Sequence, residues 1–178
     1  NIKANGTVIL NRDDKFFSYL YRKAKAYKLK VSTFGNHKKS DIFLKRIIKK
    51  KKNSKIFIKI NNRLINLEIK DLNIHNVLAS IAVLKELKID INKVKAKFKN
   101  FELSEGRGKK YSIKRYNKKF NFIDESYNAN PLSVKNAVNR LGLIKKKKFK
   151  KYLVLGEMHE LGSKSKKYHE ELSKVINK

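Results

Sequence analysis

The first 35 residues follow the order strand, helix, strand, and this order restricts the fold more than any other feature of the sequence. Gly6–Leu10 is a short, apolar, β-prone run. Large apolar side chains then recur at helical spacing from Phe16 to Ala24, and Lys30–Phe34 is a second β-prone run that Gly35 closes. Two strands joined through a helix favour a parallel sheet. We therefore predict an α/β fold.

The next segment changes to an alternation of polar and apolar residues. It holds three such runs, Ile42–Leu44, Lys55–Ile60 and Arg63–Ile69. Alternation of this kind is typical of half-exposed antiparallel strands. Asn61-Asn62 suits the turn between the last two runs, because Asn tolerates a positive φ. A small antiparallel sheet is therefore predicted after the parallel part.

Two helices and a break follow this sheet. Asn73 precedes an apolar stripe that runs from Val77 to Leu87, and a second helix is predicted over Ile91–Phe101. Ser104–Gly108 interrupts the pattern and is the candidate linker. The elements predicted behind the linker are a strand at Tyr111–Arg115, a strand at Phe120–Ile123, a helix at Leu132–Leu141, a strand at Tyr152–Leu155 and a final helix with Tyr168, His169, Leu172 and Ile176. The lysine blocks Lys49–Lys52 and Lys145–Lys148 are predicted to be turns.

Polar groups are concentrated in one stretch, Asp124–Pro131, which lies between a predicted strand and a predicted helix. Its two carboxylates follow the strand's carboxyl end, where ligands bind in open α/β sheets. Pro131 is suited to the first turn of the helix, because its fixed φ is helical and its missing N–H needs no partner there. The plain alternative is a polar turn whose acids complement the helix dipole.

The formal net charge is +31, with 46 Lys and Arg against 15 Asp and Glu. Such a charge is typical of proteins that bind nucleic acid or an anionic membrane. The lysines are spread along the whole chain, however, and Ile and Asn are abundant beside them, as in products of AT-rich genes. Nucleic-acid-binding proteins more often combine arginine with exposed aromatic residues. A basic nucleic-acid-binding module therefore stays open as the alternative.

The sequence has no cysteine, which excludes disulfides and thiolate metal sites and fits a reducing compartment. No apolar run approaches the ~20 residues of a membrane span. No second histidine stands at metal-ligand spacing from His75, so no zinc site is predicted.

Six short motifs, taken together and in order, resemble those of the Mur ligases, and within them the ligases that add D-alanyl-D-alanine to UDP-N-acetylmuramoyl-tripeptide. The motifs are Leu10–Asp14, Thr33–Gly35, His75-Asn76, Gly106-Arg107, Asp124–Pro131 and Leu155–Gly162. The resemblance implies that residues 1–107 are the C-terminal half of an ATP-binding central domain, with a parallel sheet and a small antiparallel sheet. Residues 108–178 would begin a Rossmann-like C-terminal domain.

The resemblance also implies a reaction, ATP-driven amide formation in peptidoglycan precursor synthesis. A carboxylate of the UDP-muramoyl peptide would attack the γ-phosphate of ATP, and the amine of D-alanyl-D-alanine would then displace phosphate from the acyl phosphate. Mg²⁺ is expected as a cofactor, with its main ligands upstream of this chain. The sequence has no G-x-x-G-K-[ST] phosphate-binding loop, so this chain alone is expected to be inactive. A cytoplasmic monomer without a nucleic-acid partner is expected, and a non-catalytic scaffold of the same fold is a further alternative.

The catalytic residues that the resemblance implies are Arg107, which would reach the ATP phosphates, and the pair Asp124 and Glu125, one of which would contact the ribose or the metal. The cofactor-binding residues would be Asn11, Asp13, His75, Asn76, Arg107 and Asp124. The substrate-binding residues would be Tyr127, Asn128, Asn130, Glu157, Met158 and Glu160. No residue of this chain is predicted as a metal ligand.

Several of these residues have a structural alternative. Asn11, Asp13 and Asp14 can cap the following helix, His75 can belong to a helix cap, and Met158 can fill a gap in the core. The family carries an Asn three residues after Asn76, but this chain has Ala79 there, which removes one amide from the expected adenine contacts.

Overall fold

A computed structural model describes residues 2–49, 53–70, 72–144 and 150–177 of the chain. The chain divides into two compact units, Asn1–Phe101 (unit 1) and Glu102–Lys178 (unit 2). Gly106-Arg107-Gly108 therefore belongs to unit 2. The domain boundary predicted between residues 107 and 108 stays a prediction. Within the described ranges, no helix has the length and apolar character needed to cross a membrane.

Unit 1 is a mixed α/β fold built on one five-stranded sheet. Its elements are β1 (Thr7–Asn11), α1 (Phe17–Ala26), β2 (Lys30–Gly35), β3 (Ile42–Lys49), β4 (Ser54–Ile60), β5 (Arg63–Ile69), α2 (Ile74–Glu86) and α3 (Ile91–Lys99). The strand order is β1-β2-β3-β4-β5. β1, β2 and β3 run parallel, whereas β4 and β5 are antiparallel to their neighbours. The predicted α/β class with its antiparallel strands is confirmed, and β3 joins both parts into one sheet.

The core of unit 1 lies between this sheet and helix α2. Ile56, Ile58 and Ile60 alternate with more exposed residues along β4, because successive side chains of a strand point to opposite faces. Leu78 and Ile81 of α2 are fully buried in the same cluster. α1 packs on β1 and β2, and α3 packs on β5. This packing leaves the carboxyl ends of β1 and β2 beside the first turn of α2.

The turn between β4 and β5 forms as predicted. Asn61 and Asn62 both have a positive φ, 45° and 65°, and the strands pair in register from Ile60 and Arg63 outward. Two positive φ angles match the right-handed twist of the flanking strands. The turn predicted at Lys49–Lys52 falls mainly outside the described residues, since β3 is described through Lys49 and β4 begins at Ser54.

Asn73 begins helix α2 and caps it. Its Oδ1 accepts hydrogen bonds from the backbone N–H groups of His75, at 2.9 Å, and Asn76, at 3.3 Å. These donors have no partner inside the helix. The cap therefore fixes the position of two of the predicted cofactor-binding residues.

Replacing Asn73 with alanine is expected to lower the free energy of unfolding of unit 1 by about 1 kcal/mol, because both donors lose their acceptor. The measurement is urea unfolding of the 178-residue chain, followed by the amide signals of α2. Asn92→Ala, an exposed asparagine within α3, is the matched control and should leave unit 1 as stable or slightly more stable. Equal stability of Asn73→Ala and the parent chain would contradict the capping role.

Unit 2 contains a hairpin and two longer helices. Its elements are β6 (Lys109–Arg115), β7 (Lys118–Asp124), α4 (Pro131–Gly142), a 3-10 turn (Gly162–Lys164) and α5 (Ser165–Ile176). β6 and β7 pair antiparallel, and α4 packs against α5. The apolar side chains buried in unit 2 include Val138, Met158 and Leu172. The predicted helix at Leu132–Leu141 is confirmed.

Two expectations for unit 2 differ from the structure. The predicted strand Tyr152–Leu155 does not form: among the described residues it pairs with no strand, and Val154 is 93% exposed. A strand is stabilised by the ladder to its neighbour, so a β-prone run without a neighbour stays irregular. Likewise the strand predicted at Phe120–Ile123 forms as part of β7, which extends through Asp124, but it lies in an antiparallel hairpin rather than in a parallel sheet. Lys145–Lys148 lies outside the described residues.

Candidate functional site

In unit 1, Asp13 lies just beyond the carboxyl end of β1 and binds the loop that follows β2. Its carboxylate accepts hydrogen bonds from the backbone N–H of Asn36 at 2.6 Å, from Asn36 Nδ2 at 2.8 Å and from the backbone N–H of His37 at 3.2 Å. Gly35 has a φ of +147°, and a Cβ there would stand 2.6 Å from Asp13 Oδ2. The glycine thus permits the close approach.

Asn11 and His75 adjoin this carboxylate. Asn11 Oδ1 accepts a hydrogen bond from the backbone N–H of Asp13 at 3.0 Å. His75 Nε2 stands 3.5 Å from Asp13 Oδ2 and 3.5 Å from Asn36 Nδ2. Asn11, Asp13 and His75 were each predicted as cofactor-binding residues, and the structure brings them together although His75 is more than sixty residues from the other two in sequence.

Asn76 is exposed in the same first turn of α2. One turn further on, Ala79 packs against the core, and the Ser80 hydroxyl donates a hydrogen bond to the Asn76 carbonyl at 2.9 Å. The Ser80 side chain is thus engaged within its own helix. Asn76 itself is exposed to solvent.

The capping alternative for the first motif is not realised, because α1 has Phe16 as its N-cap residue and no side-chain capping hydrogen bond. Asp14 Oδ1 accepts a hydrogen bond from the backbone N–H of Phe16 at 2.7 Å, immediately before α1. Asp13 is instead turned toward the loop after β2. Asn36, which completes this cluster, was missed from the sequence; its signal was its position directly after the Thr33–Gly35 motif.

In unit 2, Asp124 holds the turn Gly106–Gly108, which carries Arg107 and is called the linker turn below. Asp124 Oδ2 accepts a hydrogen bond from the backbone N–H of Gly106 at 3.0 Å, and the Asp124 carbonyl accepts one from Gly108 at 2.6 Å. Tyr127 in turn donates its backbone N–H to the Gly106 carbonyl at 3.1 Å. The two glycines are buried with φ of +70° and +89°, in the left-handed region. The turn is therefore fixed from both sides.

Arg107 is exposed at the tip of this turn. Its guanidinium lies 4.1 Å from the centroid of the Tyr127 ring. A cation over an aromatic face is attracted by the ring's quadrupole. Tyr127 is itself 67% exposed, so the pair presents an oriented cation to solvent rather than a buried ion.

The second carboxylate of the motif has a different partner. Glu125 Oε1 accepts a hydrogen bond from Arg140 Nη2 of α4, which also makes an ion pair with it. A Cβ on Gly108 would stand 3.2 Å from the same oxygen. Glu125 therefore links the linker turn to α4, and the two adjacent acids contact different elements.

Hydrogen bonding lowers the pKa of Asp124. The Ser126 hydroxyl, which donates to Oδ1 at 2.6 Å, is the largest cause, and the backbone N–H groups of Ser126 and Gly106 add to it against the opposing effect of desolvation. All three donors favour the charged form. Asp124 is thus a carboxylate at neutral pH.

Because the pKa of Asp124 is lower in the folded chain, its contribution to stability is present above the unfolded pKa and lost as the pH falls through the folded value. We expect the Gly106 and Ser126 amide signals to titrate with a midpoint below about 3.9, the value of an unperturbed aspartate. NMR from pH 6 downward measures this, and Asp124→Asn should abolish the transition. A midpoint at or above that of a free aspartate would contradict the bonding described.

Asn130 caps helix α4 and Asn128 lies exposed before it. Asn130 Oδ1 accepts hydrogen bonds from the backbone N–H groups of Leu132 at 3.1 Å and Ser133 at 2.9 Å, and Ser133 Oγ accepts from the Asn130 N–H. This is a capping box with Pro131 in the first turn. The oxygen of Asn130 is thereby committed to the helix, whereas Asn128 is open to solvent.

The loop with the last three predicted substrate residues presents two of them. Glu157 and Glu160 are exposed, and Glu160 has a φ of +61°. Met158 between them is only 1% exposed. The packing alternative foreseen for Met158 is therefore the role that this geometry supports.

Across residues 2–49, 53–70, 72–144 and 150–177, no group of three or more His, Cys, Asp and Glu side chains could hold a metal ion. The expectation that the Mg²⁺ ligands lie upstream stays a prediction.

One family model matches the first part of the chain. Residues 1–84 match the family model of the Mur ligase middle domain. Among curated proteins, none matches this chain in sequence.

Solved structures share the fold of the whole chain. MurF from Acinetobacter baumannii is 23% identical with a TM-score of 0.78, over 98% of this chain and 37% of that one. MurF ligase from Thermotoga maritima in complex with ADP is 23% identical with a TM-score of 0.77, over 98% and 39%. Folylpolyglutamate synthetase from Lactobacillus casei is 10% identical with a TM-score of 0.61, over 98% and 42%. The chain thus spans about two fifths of each.

Proposed function

We propose that this chain is part of an ATP-dependent amide ligase, because residues 1–84 match the family model of the Mur ligase middle domain. The specific reaction we propose is addition of D-alanyl-D-alanine to UDP-N-acetylmuramoyl-tripeptide, for peptidoglycan precursors in the cytoplasm. The observation that carries the proposal is the shared fold with MurF structures over nearly the whole chain, one of which is in complex with ADP.

Several side chains of the described residues have the chemistry that a nucleotide requires. ATP needs cations at its phosphates and hydrogen-bonding groups at its adenine and ribose, and this chain supplies an exposed guanidinium at Arg107 and an exposed amide at Asn76. His75 and Asn11 adjoin Asp13 at the strand ends of unit 1, where α/β sheets bind ligands. Bound ATP would supply the phosphoryl group that activates the substrate carboxylate.

Arg107 would act on the transferring phosphoryl group as a preorganised cation. Charge on the phosphoryl oxygens is best stabilised by groups already oriented before the reaction. The turn meets this need, since Asp124 bonds its backbone and Tyr127 supports its side chain. In this proposal Asp124 orients Arg107, while Glu125 secures α4 through Arg140.

The substrate-binding residues that we propose belong to unit 2. Glu157 and Glu160 are exposed carboxylates on one loop, and either would attract the ammonium group of D-alanyl-D-alanine. Tyr127 and Asn128 offer exposed polar groups beside the linker turn. Positioning of the amine and the activated carboxylate supplies much of the rate enhancement in such reactions.

The test is phosphate release by a protein that joins this chain to the phosphate-binding loop lacking from its sequence. This protein is called the joined ligase below. We expect release, and a new amide product by mass spectrometry, only when ATP, UDP-N-acetylmuramoyl-tripeptide and D-alanyl-D-alanine are all present. Each substrate is omitted in turn as the control. No product with all three present would overturn the specific reaction, and ATP turnover by the 178-residue chain alone would overturn its expected inactivity.

One observation favours a second candidate, a basic nucleic-acid-binding surface. On the β6–β7 hairpin, Tyr116, Phe120 and Phe122 are exposed in a segment rich in lysine, and base stacking on aromatic rings is common in such proteins. Binding to a single-stranded oligonucleotide that persists at 0.15–0.2 M salt would support it. Weak binding that disappears over this range would indicate generic attraction to lysine.

A further inference from the structure

His169 of α5 connects its helix to the loop that carries Glu157 and Glu160. Its Nε2 accepts a hydrogen bond from the backbone N–H of Met158 at 3.0 Å. Its Nδ1 lies 2.9 Å from the Ser165 carbonyl oxygen, one turn earlier in the helix. The imidazole is half-buried, so both contacts are partly shielded from water.

These two contacts determine the tautomer of the ring. A nitrogen that accepts a hydrogen bond carries no proton, so Nε2 is the bare nitrogen and the proton resides on Nδ1. Nδ1 then donates to the Ser165 carbonyl, the usual way in which a backbone oxygen orients a histidine. His169 therefore bridges the two segments with Nε2 as acceptor toward Met158 and Nδ1 as donor toward the Ser165 carbonyl, while the Ser165 hydroxyl lies 3.4 Å from Nδ1.

The bridge acts on a segment with little regular structure. Residues 150–159 contain neither helix nor strand, so no ladder of backbone hydrogen bonds fixes them. Met158 is held twice, since its side chain is 1% exposed and its N–H is bonded to His169. Glu157 and Glu160 lie close to this anchor in sequence and expose their carboxylates. Their positions relative to α5 therefore depend on the anchor.

We propose that His169 is a positioning residue, which fixes the loop so that Glu157 and Glu160 meet the cationic amine of the incoming substrate. The effect on the substrate rests on the proposed ligase function, whereas the effect on the loop does not. The loop effect requires only that the Met158 N–H keeps an acceptor at the position of Nε2.

Two substitutions separate the contacts of the ring. His169→Gln can place Oε1 near the position of Nε2 and so accept from Met158. His169→Asn is shorter and reaches only the position of Nδ1, toward Ser165. His159→Gln, on the exposed histidine next to Met158, is the control for loss of an imidazole in the same loop.

The primary measurement is amide hydrogen exchange of Met158 in the 178-residue chain. His169→Asn should speed this exchange about tenfold, as expected for loss of one hydrogen bond of about 1.4 kcal/mol. His169→Gln and His159→Gln should leave it within about threefold. Unchanged exchange in His169→Asn would overturn the proposal.

Unfolding of unit 2 would show itself at Val138 in α4, whose amide should exchange at the parent rate in all three variants. If His169→Asn also speeds the amide exchange of Val138, unit 2 is destabilised as a whole, and the exchange of Met158 in His169→Gln then tests the proposal. Protection of Met158 in His169→Gln supports the proposal, and its loss in a variant with an intact Val138 signal overturns it.

Kinetics of the joined ligase then test the substrate effect. His169→Asn should raise KM for D-alanyl-D-alanine about tenfold, leave KM for ATP within about twofold, and be rescued by His169→Gln. Faster exchange at Met158 with an unchanged KM for the dipeptide would overturn the role toward substrate. A parent ligase without activity would refute the proposed function instead, and the exchange result would be unaffected.

Discussion

Replacing Arg107 with alanine is expected to lower kcat/KM of the proposed ligase reaction by about 10²–10³-fold, the usual loss when one preorganised transition-state donor is removed. The guanidinium is exposed, stands on a turn fixed by two backbone hydrogen bonds to Asp124, and rests on the Tyr127 ring. The loss should fall mainly on kcat, because charge on the phosphoryl group is greatest in the transition state. Phosphate release by the joined ligase across ATP concentrations measures it.

Arg115→Ala is the matched control for this substitution. Arg115 is an exposed arginine of the same unit, and its guanidinium lies 5.6 Å from the Tyr116 ring, so it shares exposure and an aromatic neighbour with Arg107 but lies at the end of β6. It should retain activity within about twofold. Arg107→Lys should fall between the two, since lysine keeps the charge and loses the planar fork. More than half of the parent activity in Arg107→Ala would identify Arg107 as an ordinary surface arginine.

Features set by neighbours in the sequence could be predicted. The turn at Asn61-Asn62 follows from the tolerance of Asn for positive φ, and the start of α4 follows from Asn130 and Pro131. The apolar stripe of α2 likewise predicted its buried face from Val77 to Ala82, whereas Leu87 at the end of the stripe is exposed. Each of these depends on contacts a few residues apart, which a single sequence displays directly.

Features that depend on distant partners could not be predicted in the same way. Tyr152–Leu155 has the composition of a strand, but its ladder requires a neighbour that composition does not supply, and it stays irregular. The alternating runs from Ile42 to Ile69 were interpreted as a separate antiparallel sheet. In the structure β3 pairs parallel with β2 and antiparallel with β4, so these strands belong to the same sheet as β1 and β2. Strand pairing is decided by long-range packing rather than by local propensity.

The candidate site shows the same division. Sequence motifs gave Asp13, Asp124 and Arg107, but not the contacts between them and their surroundings. Asn36 bonds Asp13 from a segment after the next strand, and the Asp124 carboxylate bonds the backbone of the linker turn. A motif identifies which side chains matter, whereas the backbone groups that orient them carry no residue-specific signal.

Replacing Gly106 with alanine is expected to lower the free energy of unfolding of unit 2 by about 2–4 kcal/mol. Gly106 has a φ of +70°, which costs a residue with a Cβ about 1–2 kcal/mol. The added Cβ would also stand 2.6 Å from the backbone nitrogen and 2.7 Å from the Cβ of Tyr127, and these atoms cannot move without breaking the Tyr127–Gly106 hydrogen bond. Urea unfolding followed by the amide signals of α4 measures the loss.

Gly142→Ala is the matched control, because Gly142 is the last residue of α4 and a Cβ there would meet nothing within 4 Å. This variant should be more stable than the parent chain by about 0.5–1 kcal/mol, the ordinary gain of alanine over glycine in a helix. Opposite signs for two identical substitutions in one unit would show that conformation, and not loss of glycine as such, sets the cost. A Gly106→Ala chain as stable as the parent would mean that the turn adopts another backbone geometry, and the orientation of Arg107 by Asp124 would then have no structural basis.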